Sequence, residues 1–384
     1  MRTPTSTSSP CERWPVSPCT SSLESTMILP APGVVVIVRS SMPSLPSNFV
    51  PRGSVRRLEQ QSATEGRPTP SDICGWVARV ISASGLTKRY GEFTAVDGID
   101  FEVARGESFG ILGPNGAGKS TTMRMIAATL LRTSGDLTIL GKDPSKEGPA
   151  IRAHLGVVPQ QDNNDAELTV RENLYVYGRY FGLPRSYLNP RIDELLAFAQ
   201  LEDKRDTKIE ALSGGMKRRL TIARGLVNDP EILMLDEPTT GLDPQARHIL
   251  WDRLFRLKED GATLVVTTHH MDEAEQLCDR LVVMDRGHIV AEGTPASLIR
   301  EYASKEVVEV RFGSDRNAEI APLIADIGER AEILPDRILI YTGAGEESLQ
   351  AIVARGFSPV TSLVRRSSLE DVFLRLTGRT LEDE

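Results

Sequence analysis

Gly113-Pro114-Asn115-Gly116-Ala117-Gly118-Lys119-Ser120-Thr121 fits G-x-x-x-x-G-K-[ST], the spacing of a loop that wraps the phosphates of a nucleotide. The residue types follow from that task. Gly113, Gly116 and Gly118 allow φ > 0 and a close approach to phosphate oxygens, so that successive N–H groups converge on an anion. Lys119 adds a mobile positive charge and Ser120 a hydroxyl for Mg²⁺. The helix starting near Lys119 aims its positive end at the same oxygens. Pro114, Asn115, Ala117 and Thr121 complete the nucleotide-binding loop. Its flanks agree: residues 107–112 read as a short buried strand and 121–127 as a helix.

Outward from the loop, 384 residues suffice for two or three domains, and a formal net charge of -8 argues against nucleic acid as an electrostatic partner. Cys11, Cys19 and Cys74 precede the first convincing strand. Only Cys278 lies in the body, among apolar neighbours, so neither a disulfide framework nor a zinc spacing is present. Val34 to Val38 is far too short to span a membrane. The body reads as cytosolic and reduced.

Residues 1–80 differ from the rest: they hold 14 Ser and 11 Pro but no Lys, a composition too poor in apolar surface to offset ordering entropy. We expect either a disordered arm or a non-native extension, with translation starting later at Met27, Met42 or near Val80. From Ile81 to Tyr90 and Thr94 to Val103 the pattern turns to short strands joined by tight turns. Tyr90 closes the first of them, where its ring could stack on an adenine or cover the sheet.

Further strands run from Gly135 to Leu140 and from Leu155 to Gln160. Gln160 lies past its strand's carboxyl end, where open α/β sheets place ligand-contacting groups, and its amide can ligate Mg²⁺ or orient a water. Residues 168–210 are helical in pattern and form an insertion in an α/β core. Tyr175, Tyr177, Tyr180 and Phe181 within it make either a partner face or, at helical spacing, part of the core. Leu212-Ser213-Gly214-Gly215-Met216 follows: Ser213 caps the next helix, and two glycines leave its first N–H groups open to an anion. Glu231 to Asp236 is an apolar run ending in a carboxylate, as a buried parallel strand delivers it to the ligand edge. Asp236 there can hold Mg²⁺ while Glu237 polarises a water for in-line attack on the γ-phosphate. After the loop 239–244, a helix over 245–260 leads to the strand Thr263 to Thr268. His269 stands at its carboxyl end with Lys119, Gln160 and Asp236, which points to function.

Residues 305–384 read β-α-β-β-α-β plus a final helix, a small α+β ferredoxin-like domain without a catalytic constellation. A regulatory or dimer-stabilising role is the natural reading of it.

Tyr90, Gly113 to Thr121, Gln160, Leu212 to Met216, Ile232 to Pro238, Gly241 to Asp243 and His269 together resemble the ordered motifs of an ABC-transporter ATP-binding subunit. More narrowly, Gly156 to Gln160, Arg171 to Asn173, Gly178 to Gly182, Ala246 to His248 and Ser368 to Arg379 look like the lipo-oligosaccharide (nodulation-factor) and daunorubicin-type exporters. Asn164 and His270 depart from that subgroup, which has apolar and aromatic residues there. The resemblance implies a P-loop NTPase (ABC ATPase) core over 81–304, with an antiparallel β subdomain and a helical subdomain at about 168–210. It implies ATP and Mg²⁺ as cofactors, with Ser120, Gln160 and Asp236 toward the metal, Glu237 as general base and His269 as γ-phosphate sensor. It further implies a head-to-tail homodimer in which Ser213 to Gly215 of one copy meet the ATP on Lys119 of the other, with Asp243 coupling the sites. Integral-membrane permease subunits would hold it at the cytoplasmic face and carry a drug, lipid or lipo-oligosaccharide outward. The alternative is a soluble ABC ATPase on ribosomes or nucleic acid, whose members carry two cassettes or a coiled-coil insertion that this chain lacks.

Overall fold

The computed structural model describes residues 79–313 and 316–377. The expectation for residues 1–80 falls outside these, except that Arg79 and Val80 already belong to the first strand.

β1 (Arg79–Tyr90) and β2 (Phe93–Ala104) form an antiparallel hairpin closed by Tyr90 opposite Phe93. β3 (Ser108–Leu112) is buried throughout and runs into the loop before α1 (Lys119–Ile126). β4 (Ser134–Ile139) returns to β1, giving an antiparallel sheet ordered β2-β1-β4. α2 (Pro144–Arg152) is capped by Asp143 and leads to β5 (Leu155–Val158).

The helical stretch holds α3 (Val170–Tyr180) and α4 (Arg185–Ala199). Thr169 and Glu172 cap α3 reciprocally: Thr169 Oγ1 accepts from Glu172 N at 3.2 Å and Glu172 Oε2 accepts from Thr169 N at 2.9 Å. Of the four rings, Tyr175, Tyr177 and Phe181 pack on the core and Tyr180 stays exposed.

α5 (Gly214–Gly225) precedes β6 (Ile232–Asp236), α6 (Pro244–Glu259), β7 (Thr263–Thr268) and α7 (Met271–Leu277). β8 (Arg280–Asp285), β9 (His288–Gly293) and α8 (Pro295–Tyr302) follow. The central sheet is ordered β5-β6-β7-β3-β8-β9, parallel except for β9. Both faces are covered: Ile232 and Met234 enter one apolar cluster, while Leu233 and Leu235 enter the other. That alternation is the period of a strand, and it explains why the run reads as continuously apolar.

The remaining elements are β10 (Glu306–Arg311), α9 (Asn317–Ile324), β11 (Arg330–Ile333), β12 (Ile338–Thr342), α10 (Gly345–Ala354), β13 (Thr361–Arg366) and α11 (Leu369–Thr377). Their antiparallel sheet is ordered β11-β12-β10-β13, the ferredoxin-like arrangement. α11 leaves this sheet and buries Leu369, Val372 and Phe373 in the larger core, against α7 and α8. Among the described residues no helix is long and apolar enough to cross a membrane.

Candidate functional site

Parallel strands bring their carboxyl ends to one edge, and the site is built there. At the end of β3 the loop turns back under Met284. Gly113 is required because a Cβ would lie 2.4 Å from the Met284 carbonyl oxygen, and its φ is not among the positive ones. That corrects the expectation that all three glycines supply φ > 0: Gly116 and Gly118 do, at 76° and 105°. Gly118 caps α1, and a Cβ there would also strike the Ala95 carbonyl at 2.6 Å. Lys119 is buried, its Nζ donating to the carbonyls of Gly113 at 2.6 Å and Pro114 at 2.9 Å. Asn115, Gly116 and Ser120 are exposed, while Ala117 is buried and Thr121 half-buried.

β6 ends in Asp236 and Glu237. Asp236 accepts from the Thr267 hydroxyl of β7. Burial pushes its pKa up, and the neighbouring Glu237 charge adds to that, against the Thr267 hydrogen bond first and then the charges of Lys119 and Arg218. Glu237 is buried and takes φ 46°, a left-handed conformation strained for a side chain of its kind. Its carboxylate lies between two groups: Gln160 Nε2 donates to Oε2 at 2.8 Å, and His269 Nδ1 stands 3.1 Å from Oε1. The His269 imidazole holds the Glu237 carboxyl below the usual range, with help from Lys119 and against burial. The edge thus carries two adjacent carboxylates pushed in opposite directions, together with a lysine, an amide and an imidazole. Such a group can hold a polyanion, keep one carboxylate ionised beside it and orient a water.

The other residues expected at the nucleotide, Ser213, Asp243 and Tyr90, lie in exposed positions. Ser213 caps α5, its Oγ accepting from Met216 N at 3.3 Å, and it is exposed with Gly214. Asp243 caps α6 through Ala246 N at 2.9 Å and is exposed. Tyr90 is 44% exposed, with Lys88 Nζ 5.1 Å from its ring centroid. His270 tilts against His269 with centroids 4.0 Å apart. Asn164 donates to the Thr221 hydroxyl at 2.8 Å and the Lys217 carbonyl at 3.2 Å, polar partners that account for an amide in an otherwise apolar position.

Two buried charges at this edge escaped the sequence reading. Glu273 of α7 is fully buried, facing the side chains of Thr268, Thr239 and Trp251, and burial pushes its pKa up. Arg218 of α5 is 3% exposed and reaches the backbone on both sides of Glu237. Its place in Lys217-Arg218-Arg219 offered no signal, since basic runs on helices are usually solvated faces.

Residues 96–240 match the family model described as ABC transporter, and residues 316–378 match that of the nodulation factor export protein NodI, C-terminal domain. The chain is 47% identical to a Nod factor export ATP-binding protein I of Ralstonia nicotianae, covering 79% of this chain and 95% of that relative. It is 48% identical to one of Rhizobium sp. strain N33, covering 79% and 98%. Among solved structures, an ATP-binding subunit of an ABC transporter aligns with TM-score 0.54 at 30% identity, covering 58% of this chain and 93% of that one. A dimeric bacterial ABC transporter cassette aligns with TM-score 0.51 at 31% identity, covering 56% and 98%.

Proposed function

The chain belongs to the ATP-binding proteins of ABC transporters, and from that membership we propose that it powers export of a lipo-oligosaccharide of the nodulation-factor type through separate membrane subunits. As a member it is an ATP-hydrolysing transporter subunit. The cargo reading rests on relatives matched over nearly their whole length, including the C-terminal part.

The observation that carries the catalytic reading is the Glu237 carboxylate held between Gln160 and His269 at the edge that also bears Lys119. In this reading the 113–121 loop and Lys119 bind the phosphates. Glu237 accepts the proton of the attacking water, Gln160 aligns it, and His269 senses the γ-phosphate. Ser120, Gln160 and Asp236 are hard oxygen donors once the Gln160 amide nitrogen is given to Glu237, which suits Mg²⁺. Mg²⁺ would neutralise charge on the transferring phosphates. Among the described residues no cluster of three or more acidic, His or Cys side chains is placed to cage a metal.

Ser213 and Gly214, exposed at a helix N-terminus, and the half-buried Gly215 suit contact with the ATP of a second copy, with Asp243 linking the two sites and Tyr90 under the base. The pair would sit at the cytoplasmic face on its permease. Glu237→Gln should keep ATP binding and accumulate an ATP-bound dimer while slowing turnover by about 10² to 10⁴. Normal hydrolysis by that variant overturns the base. Co-expression with the membrane subunit should restore lipo-oligosaccharide export to a host lacking both; recovery of the chain with ribosomes in place of a permease counts against transport.

A further inference from the structure

Glu273 stands three residues past His270, the N-cap of α7, where a glutamate ordinarily reaches back to the cap's own N–H. Here Thr268 Oγ1 takes that N–H at 2.9 Å, and the Glu273 carboxyl faces the same hydroxyl. The capping box is therefore relayed through Thr268, and the relay spans His269. Two further donors face the carboxyl: the Thr239 hydroxyl, two residues past Glu237, and the Trp251 indole of α6. Glu273, Thr268 and Thr239 are each no more than 1% exposed. They form the buried side of the contact that brings His269 Nδ1 to 3.1 Å from Glu237 Oε1.

This cluster is costly as it stands. Both Glu273 oxygens, Thr239 Oγ1 and Trp251 Nε1 are buried outside normal hydrogen-bond geometry. An apolar side chain of similar volume in place of the acid would remove much of that cost. A local rule broken beside a reaction site points to a role there, because no gain in stability accounts for it. The groups left open are also complementary, acceptors on α7 and donors on α6 and on the loop that leaves Glu237. A small shift of that loop toward α7 would satisfy them together.

We propose that Glu273 is a positioning residue for His269. Through Thr268 it fixes the backbone on both sides of the histidine, and through Thr239 it draws the loop after Glu237 onto the same carboxyl. The imidazole and the Glu237 carboxylate thereby keep their relative placement when a γ-phosphate meets them. The inference rests on His269 acting at the γ-phosphate.

The test measures steady-state hydrolysis, equilibrium ATP binding and thermal unfolding on the full chain for Glu273→Gln, Glu273→Met, Thr268→Val and His269→Ala. Glutamine keeps an acceptor oxygen, whereas methionine keeps only the volume. We expect kcat to fall less than about 3-fold in E273Q, about 30-fold in E273M and about 10-fold in T268V, the scale of a reacting group moved out of place. ATP affinity should change less than about 2-fold, because the 113–121 loop is untouched, and the melting temperature of E273M should hold or rise with the unsatisfied acid gone. A merely structural role predicts that affinity, turnover and melting temperature decline together, and that result overturns the inference. So does E273M with kcat within about 2-fold of the unaltered chain, or E273Q as impaired as E273M. If E273M does not fold, T268V decides, and undiminished kcat there overturns the inference. Combined with H269A, neither T268V nor E273M should lower the residual hydrolysis further; a full additional loss overturns the inference, since Glu273 would then act through another group. Normal turnover by H269A overturns the sensor role and this inference with it; impaired H269A beside unimpaired E273M and T268V overturns the inference alone.

Discussion

The central sheet's carboxyl edge and the C-terminal sheet each bury a charged cluster, and the two are balanced differently. In the C-terminal sheet Arg365 is bidentate to Asp371 at 2.7 and 3.0 Å and also donates to Glu309 at 2.7 Å. Asp371 takes a further bond from Ser368 N at 2.8 Å, and hydrogen bonding to Asp371 pushes the Arg365 pKa upward. Each charge there has a partner of opposite sign. At the central edge Asp236 and Glu237 are adjacent and like-charged, one with its pKa raised by burial and the other's lowered by a histidine. A compensated cluster holds a fold together. Adjacent like carboxylates, placed where strands end beside a lysine and a histidine, are left to hold something else.

Variants can break that contrast. The largest effect should come from Glu237→Gln, at about 10² to 10⁴ in turnover with little change in melting temperature, because it removes a base and leaves a near-isosteric amide. Arg365→Met should do the reverse: a loss of about 3–5 kcal/mol in stability, from Asp371 left buried without its guanidinium, but near-normal turnover per folded molecule. Denaturant unfolding and hydrolysis measured on one preparation separate the two, and a turnover loss in R365M as large as in E237Q would erase the distinction. Ser213→Ala sharpens it at an exposed position. Loss of the cap should cost at most about 1 kcal/mol, whereas hydrolysis should fall by more than about 10-fold if that terminus serves a second copy's ATP. The smallest effect should be Tyr90→Ala, weakening ATP affinity by up to about 10-fold through lost ring stacking, with kcat retained. Unchanged affinity in Y90A would remove the ring from the site.

Much of the site was readable because its chemistry is encoded in contiguous residues. The 113–121 loop, the apolar run into Asp236-Glu237 and the strand into His269 each carry their own local signal, and the βαββαβ order of the C-terminal sheet followed from strand and turn patterns alone. Three helices went unread. α2 is kinked at Glu147 with Pro149 inside it, and α7 and α8 span seven and eight residues, too short for a helical period to stand out. The role of Gly113 was misread because it depends on Met284, 171 positions away in sequence.

By itself the sequence determined which groups are available: a phosphate loop, two carboxylates, an amide, a histidine, and the strands that deliver them to one edge. It did so because strand period and loop spacing are local properties of the chain. Only the tertiary structure decided how Glu237 is held, between Gln160 and His269 and in a backbone conformation pinned by Arg218. Those partners come from β5's loop, β7 and α5, up to 77 positions distant from Glu237. Their convergence is set by packing across the sheet, and packing leaves no periodic trace in the residues that make it.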